Sequence, residues 1–178
     1  MNYLFLASGF EEIEALTVID VLRRAEIEVK MVSITDDLTV IGAHNIPVVA
    51  DCLLKDVDFA TAEYLILPGG MPGSTNLANC EQLTMHLKHH HEAQKPLAAI
   101  CAAPLVFGRL GILKGVEAIC YPGFEHELQG AHLSKQNVVQ SQRVVTAKGP
   151  AYALEFALQL VKSIKGSEVA DAIRQGMF

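Results

Sequence analysis

No apolar run in the sequence approaches the roughly 20 residues that a membrane-spanning helix needs. Nor is there a cluster of Lys or Arg. With 14 basic residues against 20 acidic ones and a formal net charge of −6, the chain lacks the positive surface that binds nucleic acid or an anionic membrane by counterion release. No GxGxxG follows the first apolar segment and no P-loop Lys is present, so the usual phosphate cradles are excluded. Flavin or nucleotide phosphate at the first loop would also face three carboxylates, Glu11, Glu12 and Glu14. The four cysteines (Cys52, Cys80, Cys101 and Cys120) form no CxxC pair and no zinc spacing. With 13 Gly, 7 Pro and 4 Cys, a collagen-like chain and a disulfide scaffold are both excluded. The N-terminal stretch Met1–Ser8 is apolar but has no basic region before it, and acidic residues follow at once. It reads as a first buried strand, not a signal peptide. A cytoplasmic location with reduced thiols follows as the expectation.

What remains is 178 residues, 51% apolar and 19% charged, enough for one compact domain over 1–178. Short apolar runs alternate with helical patterns. Strands are expected at Asn2–Ala7, Ile27–Ile34, Glu63–Leu67, Pro96–Ile100, Val116–Cys120 and Arg143–Ala147, with a small hairpin through His44-Asn45. Val18, Val21, Leu22 and Ala25 give one helical stripe, and Leu154, Ala157, Leu158 and Val161 another. Further helices are expected from about Asn79 to His90, from Ala102 to near Gly111, and after Ser167 as a cap, with Gly166 ending the helix before it. Tyr121–Ser134 reads as irregular. Alternating strands and helices imply right-handed βαβ units, hence an α/β fold of the flavodoxin-like, doubly wound kind: a mostly parallel sheet with helices on both faces.

In such folds ligands bind beyond the carboxyl ends of the strands. Three unusual segments should share that rim: Ser8–Glu14, Pro68–Gly73 and Cys101–Pro104. Cys101 lies between a strand and a helix start. There it is either a buried structural thiol or a reactive one, its pKa lowered by the helix dipole. The acidic and glycine-rich neighbours favour the reactive reading. A carboxylate turned inward beside it would have a raised pKa and could donate to the sulfur or shuttle protons. Helical spacing sets Glu11 and Glu14 on roughly one face with Glu12 turned away, and a solvated first turn accounts for at least one of the three. Gly69-Gly70 is either a plain turn or a pair of free amides for an oxyanion, with the Ala102 amide as second donor. His86, His89, His90 and His91 look like a metal site, but a solvated, dipole-favoured last turn accounts for them better, so no metal is expected. His126 and His132 are the histidines after Cys101, either of them a possible base and each more simply a surface residue.

Together, Gly9-Phe10-Glu11-Glu12-Ile13-Glu14, Ile19-Asp20-Val21-Leu22-Arg23-Arg24-Ala25, Leu67-Pro68-Gly69-Gly70, Ala98-Ala99-Ile100-Cys101-Ala102-Ala103-Pro104, Gly149-Pro150 and Glu155-Phe156-Ala157-Leu158 form a specific signature. On these segments the chain resembles the ThiJ/PfpI superfamily (the DJ-one family) over essentially its whole length. The resemblance implies a cofactor-free homodimer with an oxidation-prone elbow cysteine at Cys101. It further implies a protonated glutamate at Glu14, oxyanion-hole amides at Gly70 and Ala102, and a dimer-interface helix carrying Asp20 and Arg24. Ala102 stands where the peptidase-like and chaperone-like branches have His. This favours the branch of the Parkinson-associated protein deglycase and its bacterial relatives. Tyr121-Pro122 replaces the His-Pro pair frequent there, leaving Tyr121 or His126 to stand in as third partner. The implied activity is a glyoxalase or deglycase acting on small aldehydes or glycated protein. The alternative is a redox sensor or chaperone-like protein using the same cysteine, with a peptidase third.

Overall fold

The computed structural model describes residues 1–177. In chain order its elements are β1 (Asn2–Leu6), α1 (Glu12–Arg24), β2 (Val29–Ser33), β3 (Thr39–Ile41), β4 (Pro47–Val49), β5 (Cys52–Leu53), β6 (Leu65–Leu67), α2 (Gly73–Asn79), α3 (Glu81–Glu92), β7 (Leu97–Ile100), α4 (Pro104–Arg109), β8 (Glu117–Ala118), β9 (His132–Leu133), β10 (Val138–Ser141), β11 (Val144–Ala147), α5 (Ala153–Lys165) and α6 (Ser167–Gln175). The main sheet has seven strands in the order β10-β11-β7-β6-β1-β2-β5, all parallel except the β10–β11 pair. This is the expected flavodoxin-like α/β architecture.

Two directions of winding meet at β1. The chain runs outward through β2 on one side, then crosses back to β6 and continues through β7 to β11 on the other. Right-handed crossovers in opposite directions put helices on opposite faces. Accordingly α1 packs against α5, and α5 against α6, while α2 contacts α3 and α4. Past Asn2 the central strands are apolar, since covered sheets leave no polar face. Leu4, Phe5, Leu6, Leu65, Ile66, Leu67, Leu97, Ala98, Ala99 and Ile100 are fully buried.

Several local expectations change. The helix expected from about Asn79 to His90 is α3, and an unexpected α2 precedes it, with Cys80 in an extended conformation as the C-cap of one and the N-cap of the other. α2 opens at Gly73-Ser74-Thr75-Asn76, residues of weak helix propensity that hid it. The expected strand at Val116–Cys120 shortens to β8, which pairs with β9 outside the main sheet. There the Ile119 N–H donates to the side-chain hydroxyl of Thr146 in β11 and not to a strand carbonyl. Edge strands β5 and β10 were not anticipated. Ser167 is the first residue of α6, not its cap. That place belongs to Gly166, whose φ of 90° also ends α5 as expected. The β3–β4 hairpin forms in register, Thr39 opposite Val49.

Candidate active site

The strand order reverses between β1 and β6, so the crevice of this fold opens where those two strands end. The loop after β1 is tied to the loop after β6 by main-chain bonds. Glu11 N–H donates to the Gly69 carbonyl at 2.9 Å, and Gly73 N–H to the Gly9 carbonyl at 3.2 Å. The third segment follows β7, which pairs with β6 in the register Leu67 to Ala99. All three rim segments therefore meet.

Cys101 sits at the end of β7 with φ at 65°, a left-handed conformation that costs a non-glycine residue energy. Main-chain bonds on both sides hold it there: its N–H donates to the Ala147 carbonyl at 2.9 Å, and its carbonyl accepts from the Tyr121 N–H at 2.8 Å. This is the sharp strand-to-helix turn of a nucleophile elbow. The Gly70 and Ala102 amides lie near the sulfur and favour its charged form. Gly70, with φ at 90°, occupies a conformation in which a side chain would be strained.

Glu14, from the first turn of α1, is fully buried. One carboxyl oxygen accepts the Gly69 N–H at 2.7 Å, and beside Gly69 it lies next to the Cys101 thiol. The other oxygen, Oε1, is buried with no further partner among the described residues. Gly69 is required by this contact. A Cβ there would lie 2.5 Å from Cys101 Cβ and 2.7 Å from Glu14 Oε2. Burial pushes the Glu14 carboxyl up to about 7, against the Gly69 amide and the thiol, which pull it down. Burial, then the adjacent Glu14, push the Cys101 thiol up to about 12, with the Gly70 and Ala102 amides pulling it down. The lowered thiol pKa expected from a helix dipole is therefore not found. α4 is only six residues long and begins at Pro104, and desolvation outweighs it.

The neighbouring carboxylates do something else. Glu11 is the N-cap of α1, accepting the Ile13 N–H. Glu12 accepts the His44 N–H at 2.8 Å and lies 2.7 Å from His44 Nδ1, which is 3.6 Å from Glu11. Both glutamates are buried, so no member of the acidic turn is solvated, and Glu11 faces His44 with Glu12. Burial pushes the Glu12 carboxyl up, but its hydrogen bonds from His44 outweigh that and hold it below the usual range. The hydrogen bond to Glu12 raises His44. Glu11, Glu12 and His44 have ligand atoms within 4.8 Å of one another and could hold a divalent ion. The histidines of α3 do not converge in this way. His90 is buried with Nε2 2.7 Å from the Glu63 carbonyl, and His86 stacks on Phe59 at 3.7 Å between ring centroids, so that turn is less solvated than expected.

Of the two residues considered as a third partner, Tyr121 braces the elbow through its N–H, with its side chain half-exposed. His126 is three-quarters exposed and lies 3.8 Å from Glu127, and no described contact links it to Cys101. Asp20 and Arg24 pair at 2.6 Å on the outer side of α1. His44 escaped the sequence reading, and the Gly69 amide, read there with Gly70 as a candidate oxyanion donor, is instead bonded to Glu14. The signal for Gly69 was the glycine pair after β6, whereas His44 carried none beyond its place in a hairpin turn.

Residues 2–163 match the family model described as the DJ-1/PfpI family. Protein DJ-1 homolog B of Arabidopsis thaliana is 38% identical over 167 residues, covering 93% of this chain and 38% of that protein, so the chain spans less than half of that relative's length. The glutathione-independent glyoxalase DJR-1.2 of Caenorhabditis elegans is 35% identical over 164 residues, 92% of this chain and 87% of that protein. The solved structure of oxidized DJ-1 from Toxoplasma gondii superposes with a TM-score of 0.95 at 36% identity, covering 99% of this chain and 96% of that one.

Proposed function

The chain belongs to the DJ-1/PfpI family, and on that premise we propose that it is a glyoxalase or deglycase that uses Cys101 as nucleophile on 2-oxoaldehydes or early glycation adducts. The observation that carries this is the Glu14–Cys101 pair, a buried carboxyl near pKa 7 in contact with a thiol that two amides face. One proton moves from sulfur to Glu14, giving thiolate and carboxylic acid. The thiolate adds to the aldehyde carbon. The carbonyl electron pair passes to oxygen, which the Gly70 and Ala102 amides hold and Glu14 protonates, giving a hemithioacetal. The Glu14 carboxylate then removes the proton from the first carbon and returns it to the second, while the hydroxyl proton passes between the two oxygens. The first carbon is oxidised and the second reduced, so no external electron carrier enters. Water cleaves the resulting thioester to a 2-hydroxy acid and the free thiol. A relative at 35% identity bears the glutathione-independent glyoxalase name.

The test is lactate formation from methylglyoxal by the wild type and by folded Cys101→Ser. Turnover in the wild type and a fall of about a thousandfold or more in the variant is expected. Equal rates would sink the nucleophile role. A second reading, a redox sensor, is supported by the same two amides, which would hold sulfinate oxygens equally well. It requires oxygen addition selectively at Cys101 under mild peroxide, read by mass spectrometry, with no methylglyoxal turnover. We further propose a homodimer through the outer face of α1, where Ile13 and Leu16 lie exposed on the same helix as the Asp20–Arg24 pair. Leu16→Arg should yield a monomer in sedimentation.

A further inference from the structure

Sheet order fixes what stands on each side of Cys101. β7 lies between β6 and β11, so the Gly69-Gly70 amides flank the elbow on one side and the chain leaving β11 flanks it on the other. On that second side the elbow is bonded directly to Ala147 and to Tyr121. Just beyond them a groove of about 180 Å³ opens, lined by Tyr121, Pro122, Gly149, Pro150, Ala151 and Tyr152, with Lys148 its only charged residue. The ring of Tyr121 lies against Gly149, where a Cβ would come within 3.1 Å of it. Neither phenol oxygen makes a side-chain hydrogen bond among the described residues, so both rings are free to act as apolar walls. A methyl substituent would leave most of this space empty.

Resting on the aldehyde reading above, we propose that this groove receives the substituent on the ketone carbon of the 2-oxoaldehyde, and that it selects flat aryl groups over methyl. An aldehyde with its carbon on the sulfur and its oxygen towards the Gly70 and Ala102 amides can turn its ketone arm to the β11 side, where the groove lies. Aromatic side chains stack on aryl rings in offset or edge-to-face fashion. Filling an apolar pocket discriminates by about tenfold or more.

Two measurements test this, one independent of turnover. The first is kcat/KM for phenylglyoxal against methylglyoxal. The second is the rate of Cys101 alkylation by phenacyl bromide against bromoacetone, each normalised to free cysteine and read by intact mass. The wild type should favour the aryl reagent about tenfold in both. Ala151→Phe, which fills the groove, and Tyr152→Ala, which removes a wall, should each bring both ratios towards one. Wild-type ratios near one, or ratios that neither variant moves, would overturn the proposal. If neither aldehyde turns over, the enzyme reading fails and the alkylation ratio alone decides the groove.

Discussion

Two carboxylates in the first turn of α1 face opposite fates. Glu12 and Glu14 are both buried, two positions apart, yet one is held below the ordinary carboxylate range and the other is pushed up to about 7. The difference lies in depth and in the partner: Glu12 sits close to the surface and Glu14 deep in the core. Glu12 meets an imidazole on an exposed hairpin, which gains a proton as the carboxylate loses one, and water screens the pair. Glu14 meets a thiol, which offers no positive charge, in a pocket sealed by Gly69. Burial alone does not set the protonation state. The depth of that burial and the hydrogen bonds received there do.

The largest test of this contrast is Glu14→Gln. It removes the proton carrier, and turnover of methylglyoxal should fall by about a thousandfold or more with the fold retained. It should also change how stability depends on pH. Between about pH 4.5 and 7 native Glu14 keeps a proton that the unfolded chain has released, so wild-type stability should fall as pH rises through that window and level off above it. The loss amounts to roughly 3 kcal/mol. Denaturant titrations at pH 5 and 8 should show the slope in the wild type, and the variant should lack this contribution. An unchanged slope would mean that Glu14 is ionised at neutral pH, as Glu12 is.

Gly69→Ala is the next in size. The added methyl collides with both members of the reactive pair, and a stability loss of about 1–3 kcal/mol is expected from overpacking, together with impaired turnover. Smallest is Glu12→Gln. The His44 pKa, followed by NMR, should drop towards its ordinary value, with stability and methylglyoxal turnover nearly unmoved. A large activity loss there would show that the two carboxylates are not functionally separate.

Much of this was legible in the sequence, for identifiable reasons. Apolar runs such as Leu65–Leu67 and Leu97–Ile100 announce strands covered on both faces, and Pro68-Gly69-Gly70 and Cys101-Ala102-Ala103-Pro104 mark where they stop. The fold then brings those stops to one rim. The direction of the Cys101 shift was hidden, because it depends on burial and on Glu14, which lies 87 positions earlier in the chain. The partnership of Glu12 with His44 was hidden likewise, since helical spacing describes the face of α1 but not the hairpin laid across it. The break at Cys80 turns on the backbone conformation of a single residue.

The elbow at Cys101 is fastened by main-chain atoms, one from Ala147 and one from Tyr121. Such fastenings ask nothing of the side chains that accompany them. An imidazole at position 121 could be exchanged for a phenol, and the sulfur would keep its place opposite the same two amides. Lineages of such proteins are thereby free to vary the wall around the reacting atom while inheriting its coordinates. Substrate range can drift and the chemistry at the sulfur stay put.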